Sequence, residues 1–363
     1  MTPADILTGG NMAGHDIVVI GGSAGAIEAM KQICEGLPTD FPAAVFLVIH
    51  VSPTSRSVLP DLLTRAGHIP AHHPKDGEAI RCGTIYVAPP DLHLLLQSGH
   101  IALRRGPHEN LTRPAIDPLF RSAAVAYRSR VIGVVLSGLL DDGSAGLNAI
   151  KSCGGVAVVQ DPEDATWPEM PRNALTRDHV DHRATAAEMP ALLRRLVAEA
   201  PGPMPPIPNH LILEASIAAQ EALLVPEHPH VGRPSRLSCP QCGGVLNEVS
   251  EPSSTRFRCQ IGHAFTAEAL LAAQDNELER ALESARRMHR ERVVLFRRMQ
   301  EKSEAQALTH AAARWRAGAD ESEQAARVIE DALSNLRKSA LRAHWKVTLC
   351  KPAHTFRRCQ HRS

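Results

Sequence analysis

Four short apolar runs, Ile17–Ile20, Val45–Ile49, Val131–Leu136 and Val156–Val159, mark the first half of the chain. Each is continuous rather than alternating, as strands buried on both faces of a parallel sheet are. Stretches with helical spacing follow three of them: Ala26–Cys34, Val58–Arg65 and Ala145–Cys153. This alternation over residues 12–200 predicts an α/β domain with a doubly wound, mostly parallel (Rossmann-like) sheet. Within it, Thr84–Ala88 reads as a further strand and Leu92–Arg104 as a hairpin turning at Ser98-Gly99. Asp117–Tyr127 reads as a helix with Pro118 in its first turn.

The pattern then changes. Pro201 to Asn209 holds five prolines in nine residues, and His210–Leu237 is weakly patterned. Residues 201–237 are expected to be a proline-rich linker and connector. Residues 238–265 carry three cysteines and a histidine. Over 266–346 apolar residues recur at helical spacing, first Leu278, Leu282, Ala285, Met288, Leu295 and Met299, then Ala325, Val328, Ile329, Ala332, Leu333 and Leu336. Ala317-Gly318-Ala319-Asp320 is read as the break between two helices of an α-helical hairpin or coiled coil. Residues 347–363 form a basic tail.

At about 100–200 residues per domain, 363 residues allow two or three domains. The 40 Lys and Arg balance 39 Asp and Glu, so nothing points to nucleic acid, and the 3% aromatic content is too thin for stacking bases. No apolar run is long enough to cross a membrane, and Met1–Gly14 lacks the features of a signal peptide, so a cytoplasmic protein is expected.

In open α/β sheets, ligands bind beyond the carboxyl ends of the strands. The first run is followed by Gly21-Gly22-Ser23-Ala24-Gly25, the second by His50, and the third by Ser137-Gly138-Leu139-Leu140-Asp141-Asp142-Gly143. A hydroxyl, an imidazole and a carboxylate thus leave three strands at one edge. Serine becomes a nucleophile when a base takes its proton, and the base needs a carboxylate to hold its tautomer. Glycines around Ser23 allow the sharp turn that exposes the hydroxyl, and the amides opening the next helix could stabilise an oxyanion. Two other readings compete. The glycines invite comparison with a dinucleotide loop, but their spacing is not G-x-G-x-x-G, and His50 stands where a ribose-binding acid belongs. The run also matches G-x-S-x-G, but the order Ser, His, acid is not that of α/β-hydrolases.

The same residues carry a resemblance. Ile20–Gly25, Val48-Ile49-His50 and Leu136–Leu147 resemble the catalytic domain of CheB-type chemotaxis protein-glutamate methylesterases. Tyr86–His93, Arg113–Phe120, Gln160-Asp161-Pro162 and Met170-Pro171 agree with it, in the same order, over roughly Asp16 to Ala200. The resemblance implies Ser23 as nucleophile, His50 as base and Asp142, rather than Asp141, as the carboxylate. It implies hydrolysis of glutamate 5-O-methyl esters in chemoreceptor cytoplasmic domains, with glutamine deamidation as a related activity, without a catalytic cofactor. Methylated receptors, a methyltransferase and phosphorelay proteins are the implied partners. The chain departs from the family at Ser23-Ala24-Gly25-Ala26, for Ser-Thr-Gly-Gly, and at Ser137-Gly138-Leu139-Leu140, for Thr-Gly-Met-Gly. The residues before the first strand are too few for the receiver domain that normally precedes the esterase, so control by aspartyl phosphate on this chain is not expected. These departures keep a second reading open, a catalytically weak adaptor that binds receptors or partners through its α/β domain and through the cysteine-containing and helical modules that follow it.

Cys239-Pro240-Gln241-Cys242 is followed, after sixteen residues, by Cys259 and His263. Two such pairs supply four ligands for a closed tetrahedral zinc site, a structural one because no position remains for a catalytic water. The alternative is a redox pair at Cys239 and Cys242. A zinc ribbon followed by helices resembles the C-terminal extension of some receiver-less methylesterases, and interaction or homo-oligomerisation through the helices is inferred. Because the ribbon follows a linker, a fragment Met1–Gly202 is expected to fold and hydrolyse ester alone, and metal removal is expected to spare activity.

Overall fold

The computed structural model describes residues 14–54, 57–177, 180–220, 232–250 and 255–349. The expected basic tail from residue 350 onward and connector residues 221–231 lie outside them. The chain divides after Leu271 into two compact units.

The first unit opens with β1 (Ile17–Gly22), α1 (Ala26–Gly36), β2 (Ala44–Ile49), α2 (Leu59–Ala66), β3 (Ala71–His72) and β4 (Thr84–Val87). An antiparallel hairpin follows, β5 (His93–Gln97) and β6 (His100–Arg104). Next come α3 (Ile116–Tyr127), β7 (Val131–Val135), α4 (Ser144–Ser152), β8 (Val156–Gln160), α5 (Glu169–Arg177), β9 (His182–Ala184) and α6 (Met189–Ala198). Seven strands make one sheet in the order β3-β4-β2-β1-β7-β8-β9, and every adjacent pair is parallel. The apolar runs are continuous because both faces are covered. Along β1, Ile17 and Val19 enter one core with Leu119 and Phe120 of α3 and Leu147 of α4. Val18 and Ile20 enter the other with Met30 and Ile33 of α1 and Leu193 of α6.

The expected linker and connector do not hold the cysteine segment away from the α/β domain. Arg128 donates to the carbonyls of Met204 and Pro205, fastening the proline stretch to that domain. The connector contains a helix, α7 (Asn209–Ala218), whose inward stripe is Leu211, Glu214 and Ala218. A charged residue at the middle of that stripe hides it from hydrophobic periodicity. The cysteine segment is a four-stranded antiparallel sheet of β10 (Arg233–Ser238), β11 (Val245–Ser250), β12 (Thr255–Cys259) and β13 (Ala264–Thr266), and it belongs to the first unit. Buried ion pairs join it to the α/β domain. Glu214 meets Arg256 and Arg258 of β12 and Arg121 of α3, while Glu109 meets Arg121 and Arg258.

α8 (Ala267–Ala305) and α9 (Thr309–Leu349) give the expected hairpin, but it turns at 306–308 rather than at Ala317–Asp320. Gly318 lies inside α9, where a Cβ would sit 3.1 Å from the Phe296 ring, and Ala319 is buried beside it. The small residues that look like a break are a close approach of the two helices. The seam repeats every seven residues through Ala312, Ala319, Ala326 and Leu333. Leu278, Met288, Leu295 and Val328, expected in the interface, are exposed.

Candidate active site

Strands β2, β1 and β7 are neighbours at the centre of the sheet, and their carboxyl ends bring Ser23, His50 and Asp142 together. Ser23 follows β1 directly. Two residues later Gly25 takes φ 74°, a left-handed conformation, and a Cβ there would fall 2.7 Å from Thr166. The turn is laced to the loop after β7. The Ser23 N–H donates to the Ser137 carbonyl at 2.9 Å, and the Ser137 hydroxyl donates to the Ala24 carbonyl at 2.8 Å. Gly138 passes so close that a Cβ would lie 2.9 Å from Ser23 Cβ and 2.0 Å from Met170 Sδ.

His50 Nδ1 lies 3.1 Å from Ser23 Oγ, and its Nε2 lies 2.8 Å from Asp142 Oδ2. Rotating the ring by half a turn would put carbons at both places, so both contacts fix its orientation. Burial opposes charge on Asp142, but hydrogen bonding to His50, the His50 charge and the N–H groups of Ile116 and Asn110 hold its carboxyl below the usual carboxylate range. A charged Asp142 accepts from Nε2–H, which leaves the Nδ1 lone pair facing the serine hydroxyl.

The donors to Asp142 come from α3 and from the loop before it. Ile116 N–H donates to Oδ2 at 2.7 Å, Asp117 N–H to Oδ1 at 3.2 Å, and Asn110 Nδ2 to Oδ1 at 2.9 Å. The first two are the opening amides of α3, where a helix end favours an anion. α4 returns the contact, since Asp117 Oδ1 accepts from Gly143 and Gly146 at 3.0 and 2.7 Å. Burial and then the Asp142 charge push the Asp117 carboxyl well up. The neighbouring Asp141 is fully buried and accepts the Thr266 hydroxyl at 2.6 Å.

Cys239, Cys242, Cys259 and His263 also converge, with their ligand atoms within 4.8 Å of one another. Cys242 and Cys259 sulfurs are 3.7 Å apart, and His263 Nδ1 is 3.7 and 3.5 Å from Cys239 and Cys259. A tetrahedral zinc with bonds of about 2.3 Å to sulfur and about 2.0–2.1 Å to nitrogen needs separations of roughly 3.8 and 3.6 Å. Two tight turns shape the cluster, closed by Gly243 N–H on the Cys239 carbonyl and Gly262 N–H on that of Cys259. The donor set fits a metal of that size and geometry.

Sequence reasoning missed Asn110. It bridges Asp117 and Asp142 with one amide group, yet it belongs to no recognisable motif and reaches the site through a loop.

The family pattern described as CheB methylesterase matches residues 18–193, ending before α7 and the ribbon. A Leptospira interrogans protein, provisionally named protein-glutamate methylesterase/protein-glutamine glutaminase, is 38% identical over 183 residues, 50% of this chain and 95% of that protein. Protein-glutamate methylesterase/protein-glutamine glutaminase 2 of Anaeromyxobacter dehalogenans is 35% identical over 181 residues, 50% of this chain and 53% of that protein. The crystal structure of the Thermotoga maritima CheB methylesterase catalytic domain matches 51% of this chain and 100% of its own, at 32% identity and a TM-score of 0.49. Since nearly the whole of the Leptospira relative is matched at that identity, the chain belongs to the CheB methylesterase family.

Proposed function

We propose that the chain hydrolyses glutamate 5-O-methyl esters in the cytoplasmic domains of methylated chemoreceptors, releasing methanol, and that it deamidates receptor glutamines by the same route. The observation that carries the reading is the continuous hydrogen-bonded line from Ser23 Oγ through both nitrogens of His50 to Asp142, in a chain of this family. Ser23 Oγ attacks the side-chain carbonyl carbon while His50 Nδ1 takes its proton. Asp142 stabilises the imidazolium from the far side. The tetrahedral intermediate collapses, the C–O bond breaks, and His50 returns the proton so that methanol leaves. Water, deprotonated by His50, then attacks the acyl-serine; the ester bond to Ser23 breaks, and the glutamate carboxylate and free hydroxyl are restored. The Ser23 N–H is committed to Ser137 and the Ala26 N–H to the Ser23 carbonyl, so the oxyanion takes its donors from amides other than these two.

The four-residue cluster would hold one structural zinc through Cys239, Cys242, Cys259 and His263. The protein works in the cytoplasm, where its receptors expose their methylated helices; among the described residues no helix is long and apolar enough to cross a membrane. The test is covalent labelling by a fluorophosphonate together with methanol release from methylated receptor fragments. Wild type should do both and Ser23→Ala neither; turnover surviving in Ser23→Ala would end the serine mechanism.

A further inference from the structure

We infer that Asn110 is a positioning residue for Asp142, and that the ribbon sets Asn110 through Thr266, which makes the cysteine-rich sheet a support of the esterase site. The inference rests on the reading of Ser23, His50 and Asp142 as one nucleophilic set.

Asn110 uses every polar atom of its side chain. Its two amide hydrogens go to Asp142 Oδ1 and Asp117 Oδ2, each at 2.9 Å, and its Oδ1 accepts the Thr266 N–H at 3.0 Å. That last bond decides which way the amide faces. Were the group reversed, its NH2 would meet the Thr266 N–H and its Oδ1 the Asp142 carboxylate. Thr266 ends β13 and caps α8, its hydroxyl accepting from Ala269 N–H at 3.2 Å and donating to Asp141. It therefore holds both Asn110 and the chain neighbour of Asp142.

The backbone repeats the link. Asn110 and Leu111 have φ of 48° and 69°, two consecutive non-glycine residues in the left-handed region. A leucine rarely adopts this conformation, and the turn persists because its surroundings hold it. The ribbon is one of those surroundings. Asn110 N–H donates to the Ala264 carbonyl at 2.9 Å, and Ala264 N–H to that of His108 at 3.3 Å. Glu109, between them, is clamped by Arg121 and by Arg258 of β12. Asn110 is 6% exposed, too buried to contact a protein substrate itself.

The experiment follows Ser23 phosphonylation under saturating and sub-saturating fluorophosphonate, which reads nucleophile activation whatever the physiological ester. Asn110→Gly removes the amide while tolerating the left-handed backbone. The maximal labelling rate should fall about 10²-fold, the scale of a misplaced catalytic group, with half-saturation unchanged. Thr266→Val should lower the same rate about tenfold through loss of its hydroxyl contacts, and Thr266→Ser should restore it. Wild-type rates in Asn110→Gly, or a Thr266→Val defect that Thr266→Ser does not rescue, would overturn the inference. If Asn110→Gly does not fold, Asn110→Asp decides instead: it keeps the acceptor for the Thr266 N–H but loses both donors, and should show the same fall in rate. Failure of wild type to label at all would instead overturn the functional reading.

Discussion

Arg256 grips Glu214 with both arms of its guanidinium, each contact 2.7 Å, at a place where Glu214 has no solvent exposure. One partner belongs to the ribbon and the other to α7, and Arg121 of α3 closes the group against the α/β domain. The fragment Met1–Gly202 loses Glu214, Arg256 and Arg258 together; Arg121 and Glu109 still pair with each other there, but they and Asn110 lose the cover of α7 and of the cysteine-rich sheet. It should therefore be insoluble or inactive, contrary to the expectation from the proline-rich stretch. A fragment Met1–Asp275 should be soluble and labelled by fluorophosphonate. Size exclusion and labelling of the two fragments check this, and an active Met1–Gly202 would show the ribbon to be dispensable.

The same charges set the response to acid. Burial opposes ionisation of Glu214, but Arg256, Arg121 and Arg258 hold its carboxyl well below the usual range; Arg121 and Arg258 lower that of Glu109, also against its burial. A depressed carboxyl contributes stability that is complete above the unfolded value of about 4.3 and is lost as pH falls through the folded one. Wild type should melt well above Glu214→Gln at neutral pH, and the gap should narrow only below about pH 4. A gap that is constant with pH, in paired thermal melts, would contradict the assignment.

Asp142→Asn should slow turnover by about 10⁴-fold, the cost of the wrong imidazole tautomer in a triad. Asp141→Asn should act chiefly on folding and slow labelling by no more than Thr266→Val does, because its carboxylate takes the Thr266 hydroxyl and not the imidazole. Melting temperature and labelling rate measured on both variants separate the two effects. A larger rate loss at Asp141 would reverse their roles.

Leu140 carries strain that its own residue type creates. It has φ 62° and is held by its N–H on Glu169 at 3.2 Å and by Asn173 on its carbonyl at 2.8 Å. Leu140→Gly removes the Cβ penalty and should raise stability by about 1 kcal/mol, with labelling of Ser23 retained. Chemical denaturation of the variant tests this; a loss of stability would mean that the leucine side chain contributes more than its backbone costs.

Legibility in the sequence tracked distance along the chain and the nature of the signal. The convergence of Ser23, His50 and Asp142 was legible because a parallel sheet sends the ends of β1, β2 and β7 to one edge. Asn110 was not, since its partners include residues 32 and 156 positions away and its turn includes Leu111, a residue type that rarely adopts positive φ. α7 escaped because Glu214, an apparent surface residue, is the centre of its buried stripe. Gly318 misled for a related reason. A small residue marks a turn or a close approach, and only the partner, here Phe296, distinguishes them.

Metal removal should reach the esterase site through the ribbon. The ligand pair Cys259 and His263 brackets the turn between β12 and β13, and Thr266 lies three residues past His263. In a structural site the binding free energy is folding free energy. Stripping the metal should therefore loosen β13 first, releasing Thr266 from Asn110 and Asp141. Purified protein should contain one zinc per chain by elemental analysis, and Cys259→Ser should abolish that content. Chelation should lower the melting temperature, increase amide exchange at Ala264–Thr266, and slow fluorophosphonate labelling of Ser23 by about the same factor as Thr266→Val. Restored zinc should reverse all three. Unaltered labelling alongside raised exchange in β13 would mean that Asp142 keeps its place without the ribbon.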